Sequence, residues 1–148
     1  MRNSLLCLAA AGLLFSACQQ NNSTHKATAG TAADSAVSDG HTAQNSLDWA
    51  STYEGVLPCA DCEGIKTTLT LKEDLTYLLR EEYLKKDVVN EEQGSFNWNK
   101  EGTSITVNRQ DGGFLKFFVG ENQLRSLDQA GKEITGPLAS SYILKQQP

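Results

Sequence analysis

The sequence predicts an all-β fold, an antiparallel meander closed into a small barrel of about eight strands. Three observations carry this. Apolar and polar residues alternate with period two in several short stretches from residue 65 onward. Gly, Asp and Asn punctuate those stretches at fairly regular intervals. The same region shows no convincing amphipathic helix. In a chain of 148 residues, closing the meander removes exposed edges that would invite aggregation.

The elements follow in order. The stretch from Tyr53 to Ile65 holds Pro58, Gly55 and Gly64 among apolar residues and reads as a chain-reversing loop. Ile65, Thr67, Leu69 and Leu71 alternate with Lys66, Thr68, Thr70 and Lys72, which predicts a half-buried strand. Glu73-Asp74 turns the chain. Leu75, Tyr77 and Leu79 alternate with Thr76, Leu78 and Arg80, and this strand continues to Tyr83 or Leu84. Lys85 to Gln93 is charged and reads as a loop. Gly94 to Asn99 places Phe96 and Trp98 on one face. Lys100-Glu101-Gly102 turns into a strand with Ile105 and Val107 inward. Gln110-Asp111-Gly112-Gly113 is a strong hairpin signal, because Asp-Gly and Gly-Gly tolerate positive φ. Phe114 to Val119 is an apolar strand interrupted by Lys116. Turns at Gly120–Asn122 and Asp128–Lys132 bracket a short strand, Gln123 to Leu127. After the irregular Gly136-Pro137, the last strand is predicted at Tyr142 to Lys145. Phe96, Trp98, Phe114, Phe117, Phe118 and Tyr142 suffice for a core. A barrel of this size is either filled by such side chains or holds one small apolar ligand.

Upstream of this domain, which starts near Leu47 and runs over 47–148, lie two segments of another kind. Arg2 and an apolar run from Leu5 to Phe15 form a targeting segment too short to span a bilayer as a mature helix. Ser16 and Ala17 then precede Cys18, an arrangement that resembles a bacterial lipobox. Residues 1–17 are therefore read as a lipoprotein signal peptide, with Cys18 as the lipidated first residue of the mature chain and the link to the membrane. Cys7 belongs to the signal. Gln19, not Asp, follows the modified Cys, which by resemblance to enterobacterial sorting directs the protein to the outer membrane. Residues 18–46 are polar and small, and they read as a flexible tether that cannot bury enough apolar surface to order itself. His25 and His41 fall in the tether and are read as solvated.

The net charge of −5 and the lack of a Lys/Arg cluster remove nucleic acid as a partner. Catalysis is not expected. The domain from Leu47 onward holds no His, so no Ser-His or Cys-His nucleophile can form.

Cys59 and Cys62 are the thiols of the domain. In an extracytoplasmic compartment they favour a disulfide. The ring is so small that the cross-link should stabilise by less than the roughly 3 kcal/mol of a fifteen-residue loop. A thioredoxin-type site needs a helix after the pair, but Gly64 to Leu69 reads as a strand. A c-type haem site needs His where Glu63 stands, and a structural zinc site needs two further ligands. Two readings stay open. The pair is a structural staple, or it is a redox or soft-metal site in which two thiolates suit Cu(I), with Asp61 or Glu63 tuning it.

The run Tyr53-Glu54-Gly55-Val56-Leu57-Pro58-Cys59-Ala60-Asp61-Cys62-Glu63-Gly64-Ile65 resembles the signature of the NlpE N-terminal domain family. The similarity continues through Lys66 to Leu71, Leu75-Thr76-Tyr77, Gly94-x-Phe96-x-Trp98 and Leu127-Asp128-x-x-Gly131, over roughly the whole domain. The resemblance implies a lipocalin-like barrel on an outer-membrane lipoprotein, with the domain in the periplasm or at the cell surface. It also implies association with copper resistance and homeostasis, surface sensing and envelope stress signalled to a two-component kinase system. Carried over, the family's Cys pair falls on Cys59 and Cys62 and its lipid-bearing Cys on Cys18. The sequence ends at Pro148, and the second, C-terminal OB-like domain of longer members is not expected in it. Signalling that depends on that domain is not expected either.

Overall fold

The computed structural model describes residues 40–148. The predicted signal peptide, Cys7, Cys18, His25 and the predicted tether as far as residue 39 lie outside the described residues. The elements in chain order are a one-turn helix α1 (Ala43–Ser46) and strands β1 (Thr52–Leu57), β2 (Ile65–Leu71), β3 (Thr76–Tyr83), β4 (Val88–Trp98), β5 (Ser104–Asn108), β6 (Phe114–Gly120), β7 (Gln123–Leu127) and β8 (Ile143–Gln146), with a 3-10 turn at Ala139–Ser141. Each strand pairs antiparallel with the next, and β8 closes on β1. The predicted all-β meander barrel is therefore present.

The alternation seen in the sequence explains the packing. In β2 and β3 the inward positions are Thr67, Leu69 and Leu71, and Tyr77, Leu79 and Glu81, all of them buried. Tyr53, Tyr77, Phe96, Phe117, Leu69 and Leu124 meet inside the barrel, each 1 % exposed or less. Of the two options for the interior, filling by side chains is the one the fold adopts.

The structure corrects four expectations. Thr52–Leu57 forms a strand where a loop was expected, and only Pro58 to Gly64 turns the chain. Gly55 obscured it, but a Cβ there would sit 2.6 Å from Ile143 O, so Gly55 lets β1 approach β8 and close the barrel. Second, the charged stretch from Val88 is strand, not loop: β4 pairs with β3 from Tyr83↔Val88 to Thr76↔Ser95. Val88 to Glu91 are all exposed, so both faces meet solvent there and no alternation marks the strand. Third, Phe114 is 37 % exposed, and Phe118 lies outward beneath the Arg125 guanidinium, 4.5 Å from its ring centre. Tyr142 is half-buried. Tyr53 and Tyr77 take the interior places instead. Fourth, the elements packed on the barrel begin before Leu47, because α1 docks there.

That docking closes one barrel end. Gln44 N–H donates to Gly102 O at 3.0 Å. Trp49 stands edge-on to Phe96 (5.9 Å) and Trp98 (5.4 Å), a favourable aromatic geometry. Its indole N–H donates to Gln44 O, and Tyr53 O–H donates to Trp49 O, both at 2.9 Å. Burial pushes the Tyr53 phenol from 10.0 up to about 12. A phenol whose folded value is raised contributes stability that is complete below its unfolded value and is lost as pH rises through the folded one. Unfolding free energy should therefore fall between pH 10 and about 12. Tyr53→Phe should flatten that fall, and urea denaturation at pH 8 and pH 11 measures it. An undiminished fall in the variant would place the titrating group elsewhere.

Candidate functional site

The Cys loop joins β1 to β2 at the end opposite Trp49. Pro58 lacks a backbone N–H and ends β1. Gly64, at φ +154°, re-enters β2, and a Cβ there would meet Val56 Cγ1 at 2.5 Å. Between them Cys59 and Cys62 form a disulfide, with sulfurs 2.00 Å and Cα atoms 5.3 Å apart. β2 follows directly, so among the described residues no helix N-terminus faces the first sulfur.

The loop is fastened to the turn between β3 and β4. Leu84 N–H donates to Gly64 O at 3.0 Å. Lys86 pairs with the Asp61 carboxylate and Lys85 with that of Glu63. The turn presents both lysines because Lys85 and Asp87 adopt left-handed backbone conformations (φ 61° and 50°). The hydrogen bond from Lys86, then its charge, holds the Asp61 carboxyl below the usual carboxylate range. Both pairs are largely exposed, so they position the loop more than they stabilise the fold. A cleft of about 340 Å³ separates loop from turn and is lined by Asp61, Cys62, Glu63, Leu84 and the two lysines.

Cys59 Sγ lies 3.5 Å from Asp61 Oδ1, and Cys62 Sγ lies 3.3 Å from Gly64 O. Bonded sulfurs carry no proton, so these are contacts of the oxidised pair. One ligand atom each from Cys59, Asp61 and Cys62 fit within 4.8 Å of one another. Of the two carboxylates expected to tune the pair, the structure places Asp61 beside the sulfurs and pairs Glu63 with Lys85. Sequence reasoning missed Lys85 and Lys86, since the segment holding them was read only as a charged loop. His41 lies beside α1, with Nδ1 3.4 Å from Ser46 Oγ. Cys18 is outside the described residues.

A second polar cluster sits inside the barrel towards the same end. Arg109, just past β5, reaches Glu81 on β3 with Nη2 at 2.7 Å and Nη1 at 3.4 Å. Its Nε lies 3.0 Å from Glu92 of β4, a charge contact rather than an aligned hydrogen bond. Tyr77 O–H donates to Asn108 O at 2.8 Å and lies 3.4 Å from Glu92 Oε1. Burial would lower the Arg109 value, but the Glu81 hydrogen bond and the charges of Glu81 and Glu92 outweigh it and raise it. Glu81 could have been found in the sequence, because it extends the inward series Tyr77, Leu79. Every charge in this cluster is paired, so it reads as structural.

Comparison with known proteins adds four findings. The family model of the NlpE N-terminal domain matches residues 53–137. The curated lipoprotein NlpE of Escherichia coli (strain K12) is 34 % identical over 87 residues, which cover 56 % of this chain and 36 % of that protein. Among solved structures, a protein from Shewanella oneidensis described as a lipoprotein is 52 % identical, with a TM-score of 0.66 over 72 % of this chain and 95 % of its own. The Cpx pathway activator NlpE from Escherichia coli is 29 % identical, with a TM-score of 0.50 over 58 % of this chain and 46 % of its own. The chain thus spans less than half the length of the Escherichia coli relative.

Proposed function

The chain belongs to the NlpE N-terminal domain family, and from that premise we propose that it is a non-enzymatic lipoprotein of the bacterial envelope, linked to copper resistance and to envelope stress or surface sensing. In this reading Cys18 carries the lipid anchor and holds the barrel at the outer membrane. The relative from Escherichia coli is a Cpx pathway activator, which supports an envelope-stress signalling partner for this chain too.

The observation that carries the copper part is the convergence of Cys59, Asp61 and Cys62 on an exposed rim loop. The donor set fits: two sulfurs suit Cu(I), and the neighbouring carboxylate is too hard to compete with them. Cys59 and Cys62 would hold the ion once a dithiol reductant has converted the disulfide to two thiols, a two-electron step that oxidises the dithiol in turn. Bound Cu(I) would leave the thiols deprotonated. Lys86 pairs with Asp61 Oδ2 while Oδ1 faces Cys59 Sγ, so its positive charge offsets that of the carboxylate beside the sulfurs. The β3–β4 turn keeps the loop in place.

Titration of the reduced full chain against a chromogenic Cu(I) chelator tests this. Uptake of one equivalent is expected, and Cys59→Ser should abolish it. The same substitution should lower unfolding free energy by less than about 3 kcal/mol, because the ring it opens is so short. Equal Cu(I) uptake by the variant and the parent would remove the copper reading and leave a disulfide staple.

A further inference from the structure

β4 is paired very unequally on its two sides. Eight of its residues, Val88 to Ser95, pair with β3, but only Phe96, Asn97 and Trp98 pair with β5. Antiparallel geometry then says which backbone groups are left over. Phe96 N–H donates to Leu75 O, so Gly94, Glu92, Asn90 and Val88 direct their backbone groups at β3. Ser95, Gln93, Glu91 and Val89 direct theirs the other way.

Two side chains stand in for the missing neighbour. Asn108 Nδ2 donates to Ser95 O at 3.2 Å, and Gln110 Nε2 donates to Gln93 O at 3.0 Å. Beyond Gln110 the substitution stops. Among the described residues, the backbone N–H and C=O of Glu91 and Val89 have no partner. Such an edge is a template for another strand, and proteins usually guard one with charged side chains, Lys above all, with Pro or with a bulge. Val88 to Gln93 contains neither Lys nor Pro, and its charges, Glu91 and Glu92, guard it against an acidic strand but not against a basic one. It does present Val88 and Val89, both close to half exposed.

We propose that this edge of β4, from Val89 to Gln93, docks an extended cationic segment of a partner protein, which adds to the sheet as a further strand. Charge selects the occupant. Glu82, Asp87 and Glu91 lie around the edge, and the nearby cations are already engaged: Arg80 by Glu82 and Glu91, Lys85 by Glu63, Lys86 by Asp61, and the inward Arg109 by Glu81 and Glu92. Glu91 is 71 % exposed. A second copy of this chain would bring Glu82 and Glu91 of both copies together on proteins of net charge −5, where like charges across a ladder are unfavourable. A Lys- or Arg-bearing strand meets the opposite sign. A cleft of about 530 Å³ beside the edge, lined by Leu78, Arg80, Glu91, Gln93 and Gln110, gives its outward side chains a surface to lie on. The inference rests on backbone geometry and stands whether or not the Cys loop binds copper.

The test uses the full chain and a short, soluble peptide of alternating lysine and valine. Backbone amide NMR and hydrogen exchange should show the Val89 and Glu91 amides exchanging fast in the free protein and becoming protected on binding. Val89→Pro removes an N–H that points away from β3, so the barrel keeps its ladder while affinity for the peptide should drop at least about tenfold. On the parent protein, the same peptide N-methylated at alternate amides should not bind. Undiminished binding of the N-methylated peptide, or protection elsewhere than Val89 and Glu91, overturns the proposal. So does a concentration-dependent dimer in sedimentation that Val89→Pro abolishes, because the edge would then belong to a second copy.

Discussion

Phe117→Ala should lower the unfolding free energy by about 3–5 kcal/mol, while Phe118→Ala, one residue along the same strand, should cost less than about 2 kcal/mol. Phe117 is 1 % exposed, opposite Ile105 of β5 and Ser126 of β7, and its ring fills the interior with Phe96 and Tyr53. Removing it leaves a cavity that a closed barrel cannot collapse around. Phe118 points outward under Arg125, whose guanidinium is also held by Glu133 at 2.7 Å. Its loss removes a cation–π contact and some outer packing, and water takes the space. Urea denaturation of both variants measures the contrast. Equal losses would mean that β6 does not keep the side-chain parity described here.

Arg109→Met should be comparably damaging, for an electrostatic reason. Glu81 is 5 % exposed, and Arg109 supplies both of its charged contacts. Without the guanidinium, Glu81 is a buried carboxylate lacking a counter-charge, and Glu92 beside it loses the same partner. Breaking one side of a buried pair costs about 3–5 kcal/mol, most of it the penalty on the group left behind. Adding Glu81→Gln to Arg109→Met should therefore recover more than half of the loss, although it removes another native group. Glu81→Gln alone should cost less than Arg109→Met. A double-mutant cycle by chemical denaturation reads all three. If the double variant were as unstable as the sum of the singles, the two residues would be acting independently and the cluster would be misread.

Much of the fold was legible because its rules are local. β2 and β3 follow a period-two alternation that any reader of Ile65 to Leu79 can count. The hairpin at Asp111-Gly112-Gly113 lies where turn chemistry placed it, with Gly112 at φ +84°. The Cys pair and its surroundings carried the family. The signal failed where a strand leaves the barrel or touches a neighbour too closely. Val88 to Glu91 of β4 meet solvent on both faces, so no alternation marks them and the charges that follow resemble a loop. β1 contains Gly55 because β8 passes close by, and glycine argues against a strand when the neighbour cannot be seen. In β6, Phe117 and Phe118 are equally apolar, and only the barrel's inside and outside tell them apart.

The amino-acid sequence by itself determined the class of fold, the order of its turns and the presence of a thiol pair in a tight loop. These depend on backbone preference and on residues within a few positions of each other. Tertiary structure alone decided what surrounds that loop and what the barrel encloses. Lys85 meets Glu63 across 22 residues, and Arg109 meets Glu81 across 28. Such pairs exist only once strand register is set, and register comes from the burial of the whole inner face at once. The unpaired edge of β4 has the same origin: two strands of unequal length are joined, and the longer one runs on past its neighbour.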